Sequence, residues 1–134
     1  MQNLKLFCDG GSRGNPGKAA SGYVLFDHDK IIYEGGKYLG IATNNEAEWQ
    51  AVTLGSAYVL DAFGPGIKLE VYLDSELVQK QITGVYRVRQ SHLKPFFEEI
   101  KKIEKQFEII SFTHVYREKN KDADRVVNEI LDKS

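Results

Sequence analysis

Two aspartates directly follow short apolar segments of the chain. Asp9 comes after Leu4–Cys8, and Asp74 comes after Ile67–Leu73. If the two segments are neighbouring parallel strands, the two carboxylates lie side by side and repel each other unless a cation neutralises them. Carboxylate oxygens are the ligands that hard divalent ions prefer. The pattern therefore predicts a divalent-metal site at the ends of two strands.

Two predicted helices carry further carboxylates toward this site. Glu48 flanks the apolar stripe of the first helix, whereas Glu46 lies on the polar side and forms a T-x-x-E capping box with Thr43. In the last helix Asp122 and Asp124 flank the apolar stripe about equally, and periodicity does not choose between them. Four such carboxylates could hold two metal ions about 4 Å apart, an arrangement used for in-line displacement at phosphorus.

Hydrophobic periodicity and turn residues predict the elements that must bring these groups together. The predicted strands are Leu4–Cys8, Ser21–Phe26, Lys30–Glu34 with a continuation to about Ile41, Ile67–Leu73 and Glu108–Tyr116. The predicted helices run from the Thr43 cap to Gly64, from about Ser75 to about Gly84, from Ser91 or His92 to about Phe107, and from an Asn120 cap to Leu131. Gly10–Gly17 has the composition of a turn.

The resulting order, β-β-β-α-β-α-α-β-α, predicts an α/β fold with a five-stranded mixed sheet flanked by helices. A helical crossover makes the strand from Ile67 parallel to the first strand. Asp9 and Asp74 then lie at the carboxyl ends of adjacent strands, where open α/β sheets bind ligands. No repeat or linker divides the chain, so we expect one domain over residues 1–134.

Composition and charge limit the setting in which the protein works. The chain has 134 residues, of which 42% are hydrophobic and 28% charged, and no apolar stretch is long enough for a membrane helix. The first residues lack a signal-peptide pattern, and the single cysteine, Cys8, cannot form an intrachain disulfide. We therefore expect a cytoplasmic protein without a membrane partner, with a monomer as the default.

The charges are unevenly distributed along the chain. Residues 1–78 contain 6 Lys/Arg and 10 Asp/Glu, whereas residues 79–125 contain 11 Lys/Arg and 7 Asp/Glu. An acidic metal site beside a basic surface that binds a nucleic-acid backbone would have this asymmetry. Ordinary solvated faces would have it as well.

Four motifs, in order, resemble those of the ribonuclease H, type 1 family. Asp9–Gly17 is similar to D-G-S-x-x-G-N-P-G with one difference near its start, and Thr43–Glu48 matches T-N-N-x-x-E. Asp74 and Ser75 match a D-S pair, and Arg117–Asp124 is similar to R-E-x-N-x-x-A-D. The motifs span nearly the whole chain, and the predicted element order is also that of the family.

The resemblance implies an endoribonuclease that cuts the RNA strand of RNA–DNA hybrids and leaves 5′-phosphate and 3′-hydroxyl ends. It implies two Mg²⁺ ions, with Mn²⁺ as a substitute, and it selects Asp124 over Asp122 by its position in the motif. The implied catalytic and metal-binding residues are Asp9, Glu48, Asp74 and Asp124.

The resemblance also implies contacts with the hybrid. The implied substrate-binding residues are Ser12, Arg13, Gly14, Asn15, Thr43, Asn44 and Asn45. Small polar groups and exposed backbone suit the shallow minor groove of an A-like helix. Thr43 and Asn15 match positions that hold a phosphate of the DNA strand.

Two features depart from the family pattern. Many members have a histidine in the loop before the last helix, but here that loop contains none, and Arg117 is the nearest functional candidate. Well-studied bacterial members have a long basic protrusion after the second helix, whereas this chain has only residues 84–90. We expect weaker hybrid binding as a result, with Arg87, Arg89 and Lys94 supplying the remaining backbone contacts.

Two other functions are compatible with the same fold. One is a non-catalytic module that binds hybrids, which the loss of a carboxylate would favour, but all four are present. The other is a different nuclease of the superfamily, such as a resolvase or an integrase core, which would not need Asn44, Asn45 or the segment Gly14–Gly17.

Overall fold

Five strands and four α-helices follow the predicted order in the computed structural model, which describes residues 1–134. The strands are β1 (Asn3–Gly14), β2 (Gly17–Asp27), β3 (Lys30–Ala42), β4 (Lys68–Leu73) and β5 (Ile109–His114). The helices are α1 (Asn44–Phe63), α2 (Glu76–Ile82), α3 (Lys94–Gln106) and α4 (Lys121–Asp132). Short 3₁₀ turns cover Ser91–Leu93 and Arg117–Lys119.

The strands form one mixed sheet in the order β3-β2-β1-β4-β5. β1 pairs with β2 and β2 with β3 in antiparallel fashion, whereas β1 pairs with β4 and β4 with β5 in parallel. The helical crossover α1 explains why β4 returns parallel to β1. The predicted mixed sheet is therefore confirmed.

The glycine-rich segment after Asp9 differs from its prediction. The turn predicted over Gly10–Gly17 is wrong for most of its length, because β1 continues to Gly14 and β2 begins at Gly17. Only Asn15 and Pro16 remain between the paired strands. The glycine-rich composition does not reveal this strand structure. The hydrogen bonds between two strands depend on the partner strand and not on local propensity alone.

The bounds of two further elements differ from those predicted from the sequence. The strand predicted over Glu108–Tyr116 is shorter and occupies Ile109–His114. The helix predicted from Ser91 or His92 begins as a 3₁₀ turn and becomes α-helical at Lys94. Helix ends often tighten in this way, so the difference concerns the form of the first turn and not the place of the helix.

Helices cover both faces of the sheet. α1, α2 and α3 bury the larger core against one face, where Trp49 of α1 is fully enclosed among strand residues such as Leu6 and Leu69. α4 packs on the other face, where Val127 contacts Ala20 of β2. This arrangement brings the first turns of α1 and α4 to the same end of β1. None of the helices combines the length and the apolar character that a membrane crossing requires.

Candidate active site

The parallel pair β1 and β4 positions two of the predicted ligands. Their pairing ends where Cys8 lies opposite Leu73, and Asp9 and Asp74 are the next residues. β4 ends there, whereas β1 continues in its pairing with β2. The expectation that the two carboxylates meet is thus correct, although only one of the two strands actually ends.

The start of α1 brings Glu48 to the same place. Thr43 and Glu46 form the predicted capping box, in which the Glu46 amide donates to Thr43 Oγ1 at 3.1 Å and the Thr43 amide donates to Glu46 Oε1 at 3.0 Å. The backbone of α1 touches β1 at Gly10, and the Gly10 amide donates to Glu48 Oε1 at 2.7 Å. The helix end and the strand together orient the carboxylate.

Three carboxylates converge in a cluster formed by Asp9, Glu48 and Asp74. One oxygen of each lies within 4.8 Å of the others. Asp9 is 5% exposed and Glu48 is 6% exposed. Glu48 Oε2 and Asp74 Oδ2 are buried and have no hydrogen-bond partner. Unpartnered buried acceptors are costly, so the cluster needs a positively charged or donating group.

The fourth predicted carboxylate, Asp124, lies near this cluster but outside the group within 4.8 Å. Its negative charge reaches Asp9 and helps to raise the pKa of that carboxyl group. The alternative, Asp122, is half exposed and lies 3.7 Å from Arg125. The structure therefore distinguishes two residues that helical periodicity left equivalent, and the assignment of Asp124 as a ligand stays a prediction.

The cluster is electrostatically unfavourable by itself. Burial, with a smaller contribution from the charges of Asp74 and Asp124, raises the pKa of Asp9 to about 7. Burial also raises the pKa of Glu48 well above its ordinary value, with an added contribution from the charge of Asp9. A divalent cation would relieve this repulsion and occupy the unpartnered oxygens, so the donor set fits such an ion.

Hydrogen bonds join the β1–β2 hairpin to the start of α1. Asn44 Oδ1 accepts from the Ser12 amide at 2.9 Å and from Ser12 Oγ at 3.2 Å, while Asn15 Oδ1 accepts from the Asn44 amide at 3.0 Å. Gly14 pairs with Gly17 at the base of the turn. The contacts predicted between these residues and a substrate stay predictions.

Arg13 has a different environment from its neighbours in the hairpin. Its guanidinium forms an ion pair with Asp132, at the end of α4, at 2.6 Å. It also donates to Asn128 Oδ1 at 3.4 Å. This contact ties the hairpin to α4, and a substrate contact of Arg13 stays a prediction.

Two adjoining clefts connect the carboxylates with the basic segment, by which we mean the part of the chain that carries Arg87, Arg89 and Lys94. The first is lined by Glu48 and Asp74 together with Asn44, Asn45 and Arg117. The positive charge of Arg117 is close enough to lower the pKa of Asp9. Burial, which raises the pKa of this carboxyl group, has the larger effect.

The second cleft shares Asn45 and Leu77 with the first and is lined by Arg87 and Arg89. Lys94 lines a neighbouring depression that also contains Arg87. The acidic cluster and the predicted basic contacts thus belong to one continuous surface.

Comparison with known proteins identifies the family. A family model described as reverse transcriptase-like matches residues 7–130. Ribonuclease HI of Halobacterium salinarum is 41% identical over 130 residues, which cover 96% of this chain and 64% of that protein. The chain belongs to the ribonuclease H, type 1 family. It spans less than two thirds of the length of this relative.

Solved ribonuclease H structures share the whole fold. The crystal structure of the Halobacterium salinarum RNase H1 superposes with a TM-score of 0.91 at 38% identity, covering 98% of this chain and 99% of that one. LC11-RNase H1, solved in complex with an RNA/DNA hybrid, has a TM-score of 0.91 at 38% identity, covering 97% of each chain. The predicted ribonuclease H-like fold is confirmed.

Within this ribonuclease H fold, Asn120 does not have its predicted role. It precedes α4, but its side chain makes no capping hydrogen bond. Its Nδ2 instead donates to the carbonyl of Cys8 at 2.8 Å. The capping prediction is wrong because local sequence shows only that asparagine favours this position, whereas the buried carbonyl belongs to a residue 112 positions away.

Gly10 is a second residue whose importance the sequence analysis missed. A Cβ atom at this position would overlap the backbone of Ala47 and Glu48. Only glycine therefore allows β1 and α1 of this ribonuclease H fold to approach closely enough for the bond to Glu48. A glycine directly after a predicted metal-binding aspartate is a signal that could have indicated such a close approach.

The metal-free ribonuclease H fold should become more stable when Asp9 loses its charge. A carboxyl group whose pKa rises from 3.8 to about 7 on folding makes the protein lose stability as pH increases from about 4 to 7. Asp9→Asn lacks that loss. Since one pKa unit corresponds to about 1.4 kcal/mol and charged side chains can relax apart, we expect a gain of about 2 kcal/mol at pH 8. Urea unfolding in EDTA measures it.

The pH dependence and the response to metal provide the controls. The stability difference between Asp9→Asn and the original chain should be smaller at pH 5 than at pH 8. Added Mg²⁺ should stabilise the original chain more than the variant, because a ligand stabilises the form that binds it. A variant that is less stable than the original chain in EDTA at pH 8 would contradict the electrostatic account.

Proposed function

We propose that residues 1–134 form one catalytic domain that hydrolyses the RNA strand of RNA–DNA hybrids endonucleolytically, leaving 5′-phosphate and 3′-hydroxyl ends. The observation that carries the proposal is the cluster of Asp9, Glu48 and Asp74, with unpartnered oxygens beside an open cleft. Membership of the ribonuclease H family and the hybrid bound to LC11-RNase H1 support the choice of substrate.

The proposal includes two Mg²⁺ ions, for which Mn²⁺ can substitute. Asp9, Glu48 and Asp74 would hold them together with Asp124. When bound, such ions supply an activated water and stabilise the charge that develops at phosphorus. The Gly10 amide holds one oxygen of Glu48 and leaves the other free, which orients the carboxylate before any ligand arrives.

The hairpin and the start of α1 would recognise the hybrid. Asn44 Oδ1 already accepts two hydrogen bonds from Ser12. The side chain of Asn44 can therefore offer a substrate only the N–H donors of its Nδ2. Minor-groove acceptors and 2′-hydroxyl oxygens are suitable partners for such donors. Thr43 Oγ1 is within hydrogen-bond distance of Glu46 Oε1, at 3.0 Å. In this proposal Thr43 and Asn15 contact a phosphate of the DNA strand.

Arg117 would replace the histidine that many family members have in this loop. It lines the cleft with Glu48 and Asp74, and its charge reaches Asp9. A guanidinium stays protonated and can bind a phosphate with two donors. In the proposal, Arg117 therefore stabilises phosphate charge and does not transfer a proton.

A cleavage assay tests the function against its alternatives. A labelled RNA–DNA hybrid, duplex DNA and a four-way junction are each incubated with Mg²⁺ or with EDTA, and the ends of the products are analysed. We expect cleavage of the hybrid alone, only with the metal, in the RNA strand. Binding without cleavage would indicate a non-catalytic module, and cleavage of the junction or of DNA would indicate another nuclease of the superfamily.

The basic segment should contribute to hybrid binding through phosphate contacts. Arg87 and Arg89 are exposed and line the cleft that adjoins the acidic cluster. Because each phosphate contact contributes about 0.7 to 0.9 to the slope of log K against log salt, replacing both with alanine should reduce that slope by about 1.5. Binding is measured in Ca²⁺ at several salt concentrations.

A matched variant makes that prediction specific. Lys102 and Lys105 are exposed on α3 and line neither cleft. Their replacement with alanine changes the net charge equally and should leave the slope within about 0.5 of the original. Equal slopes for the two double variants would refute the role of Arg87 and Arg89.

We further propose that the protein acts in the cytoplasm as a monomer. The support for the location is Cys8, which is unpaired and buried, as suits a reducing compartment. Sedimentation of the purified chain tests the oligomeric state.

A further inference from the structure

The side chain of Asn120 joins two distant parts of the chain inside the protein. It is 1% exposed, and its Nδ2 donates to the carbonyl of Cys8 at 2.8 Å. Cys8 is the last residue of β1 that pairs with β4, and it directly precedes Asp9. The bond therefore anchors the residue before α4 to the strand position that carries a carboxylate of the cluster.

The side-chain oxygen of Asn120, unlike its nitrogen, makes no hydrogen bond. Oδ1 of Asn120 is buried without a hydrogen-bond partner, and the helix receives no side-chain cap. Asparagine is favoured before a helix because its oxygen normally accepts from the first helical amides. The Asn120 side chain does not provide that stabilisation here. Its buried hydrogen bond is the one that Nδ2 donates to the Cys8 carbonyl.

The backbone of Asn120 leads directly to the fourth carboxylate. Its carbonyl accepts a hydrogen bond from the Asp124 amide at 3.1 Å, in the first turn of α4. The side chain thus fixes this turn to β1, and the main chain fixes Asp124 within the turn. One residue connects the strand of Asp9 with the helix of Asp124.

The other side-chain hydrogen bonds between α4 and the sheet are exposed and lie elsewhere. Arg125 pairs with Glu34 of β3, and Asp132 and Asn128 bind Arg13 at the hairpin end of β1. None of these contacts involves the part of β1 beside Asp9. Among these contacts, the Asn120 bond alone is buried.

We propose that Asn120 is a positioning residue that holds Asp124 beside Asp9, an inference that rests on the proposed hydrolysis of hybrids. Without the Nδ2 donor, the first turn of α4 can shift away from β1, and Asp124 loses its place relative to the cluster. Residues that orient ligand groups typically change metal affinity or activity by about 10-fold to 100-fold when mutated. Asn120→Ala should therefore lower kcat by about that factor and leave KM for the hybrid nearly unchanged.

Gln79→Ala is the matched control for loss of a long-range amide bond. Gln79 Nε2 donates to the carbonyl of Phe112 at 2.9 Å and joins α2 to β5. Both variants should lower the urea midpoint, because each removes an amide that binds a strand carbonyl. Only Asn120→Ala should lower kcat, and only it should weaken the binding of Mn²⁺, measured by calorimetry without the hybrid.

A double-mutant cycle with Asp124→Ala tests the route of the effect. If Asn120 acts through Asp124, the double variant should have the kcat of Asp124→Ala alone. Multiplication of the two single effects, or identical kcat and Mn²⁺ affinity for Asn120→Ala and Gln79→Ala, would overturn the inference.

Two precautions keep the outcomes separable. If the original chain cuts no hybrid, the proposed function fails, and the comparison of Mn²⁺ affinities still decides the role of Asn120. If Asn120→Ala does not fold, Asn120→Ser is compared with Gln79→Ser by the same measurements.

Discussion

Asp9→Asn should reduce cleavage of an RNA–DNA hybrid by about a thousandfold or more. The substitution keeps the shape of the side chain but removes a charge from the centre of a cluster in which one oxygen from each of three carboxylates lies within 4.8 Å of the others. A loss of about 4 kcal/mol of transition-state stabilisation corresponds to about a thousandfold in rate, and metal-assisted charge stabilisation is a contribution of several kcal/mol. Single-turnover cleavage of a labelled hybrid in Mg²⁺ measures the effect.

Substitution of a remote aspartate separates this effect from a general change of charge. Asp61 is exposed near the end of α1, on a surface shared with Glu99 and Ile103 of α3. Asp61→Asn should leave the cleavage rate within about twofold, since it lies away from the cluster. Retention of a tenth or more of the activity in Asp9→Asn would show that the cluster is not the catalytic centre.

Gly10→Ala should destabilise the protein by about 3 kcal/mol or more. The added Cβ would overlap backbone atoms of Ala47 and Glu48, which no change of rotamer can move. β1 and α1 must therefore separate, and the bond from the Gly10 amide to Glu48 lengthens or breaks. Urea unfolding should show the loss of stability, and the fraction that remains folded should cleave hybrids more slowly.

Gly11→Ala is the matched control on the same strand. A Cβ atom at Gly11 would meet Val127 Cγ1 at 3.6 Å, an ordinary van der Waals contact. We expect a change in stability within about 1 kcal/mol for this variant. Equal destabilisation by the two substitutions would mean that glycine is needed along this whole segment for its backbone freedom, and not for the close approach at Gly10.

Local interactions explain which parts of the fold were predictable. The capping box of Thr43 and Glu46 involves residues three positions apart, and the structure contains it as predicted. The alternation of apolar residues before Asp74 likewise reports on a single strand. By contrast, the turn predicted over Gly10–Gly17 was wrong because β1 and β2 pair along most of it. Pairing between strands is a property of two segments together.

The candidate site likewise has a part that general rules predicted and a part that depended on the packing of a helix. The prediction that Asp9 meets Asp74 required only the handedness and direction of a helical crossover, which follow general rules. The family motif selected Asp124 over Asp122, but a physical reason for that choice required the direction in which α4 packs on the sheet. Periodicity left the two equivalent, whereas the packed helix brings the charge of Asp124 to Asp9 and leaves Asp122 beside Arg125.

The amino-acid sequence by itself indicated the order of the elements and the family, and it predicted four acidic site residues, because periodicity, caps and motifs are all properties of short segments. Only the tertiary structure decided that β1 and α1 touch at Gly10, that Asn120 binds Cys8 and does not cap α4, and that Asp124 lies outside the group of three. Each of these depends on backbone atoms of distant segments. Such distances are set when the helices pack against the sheet, and no local pattern of residues records them.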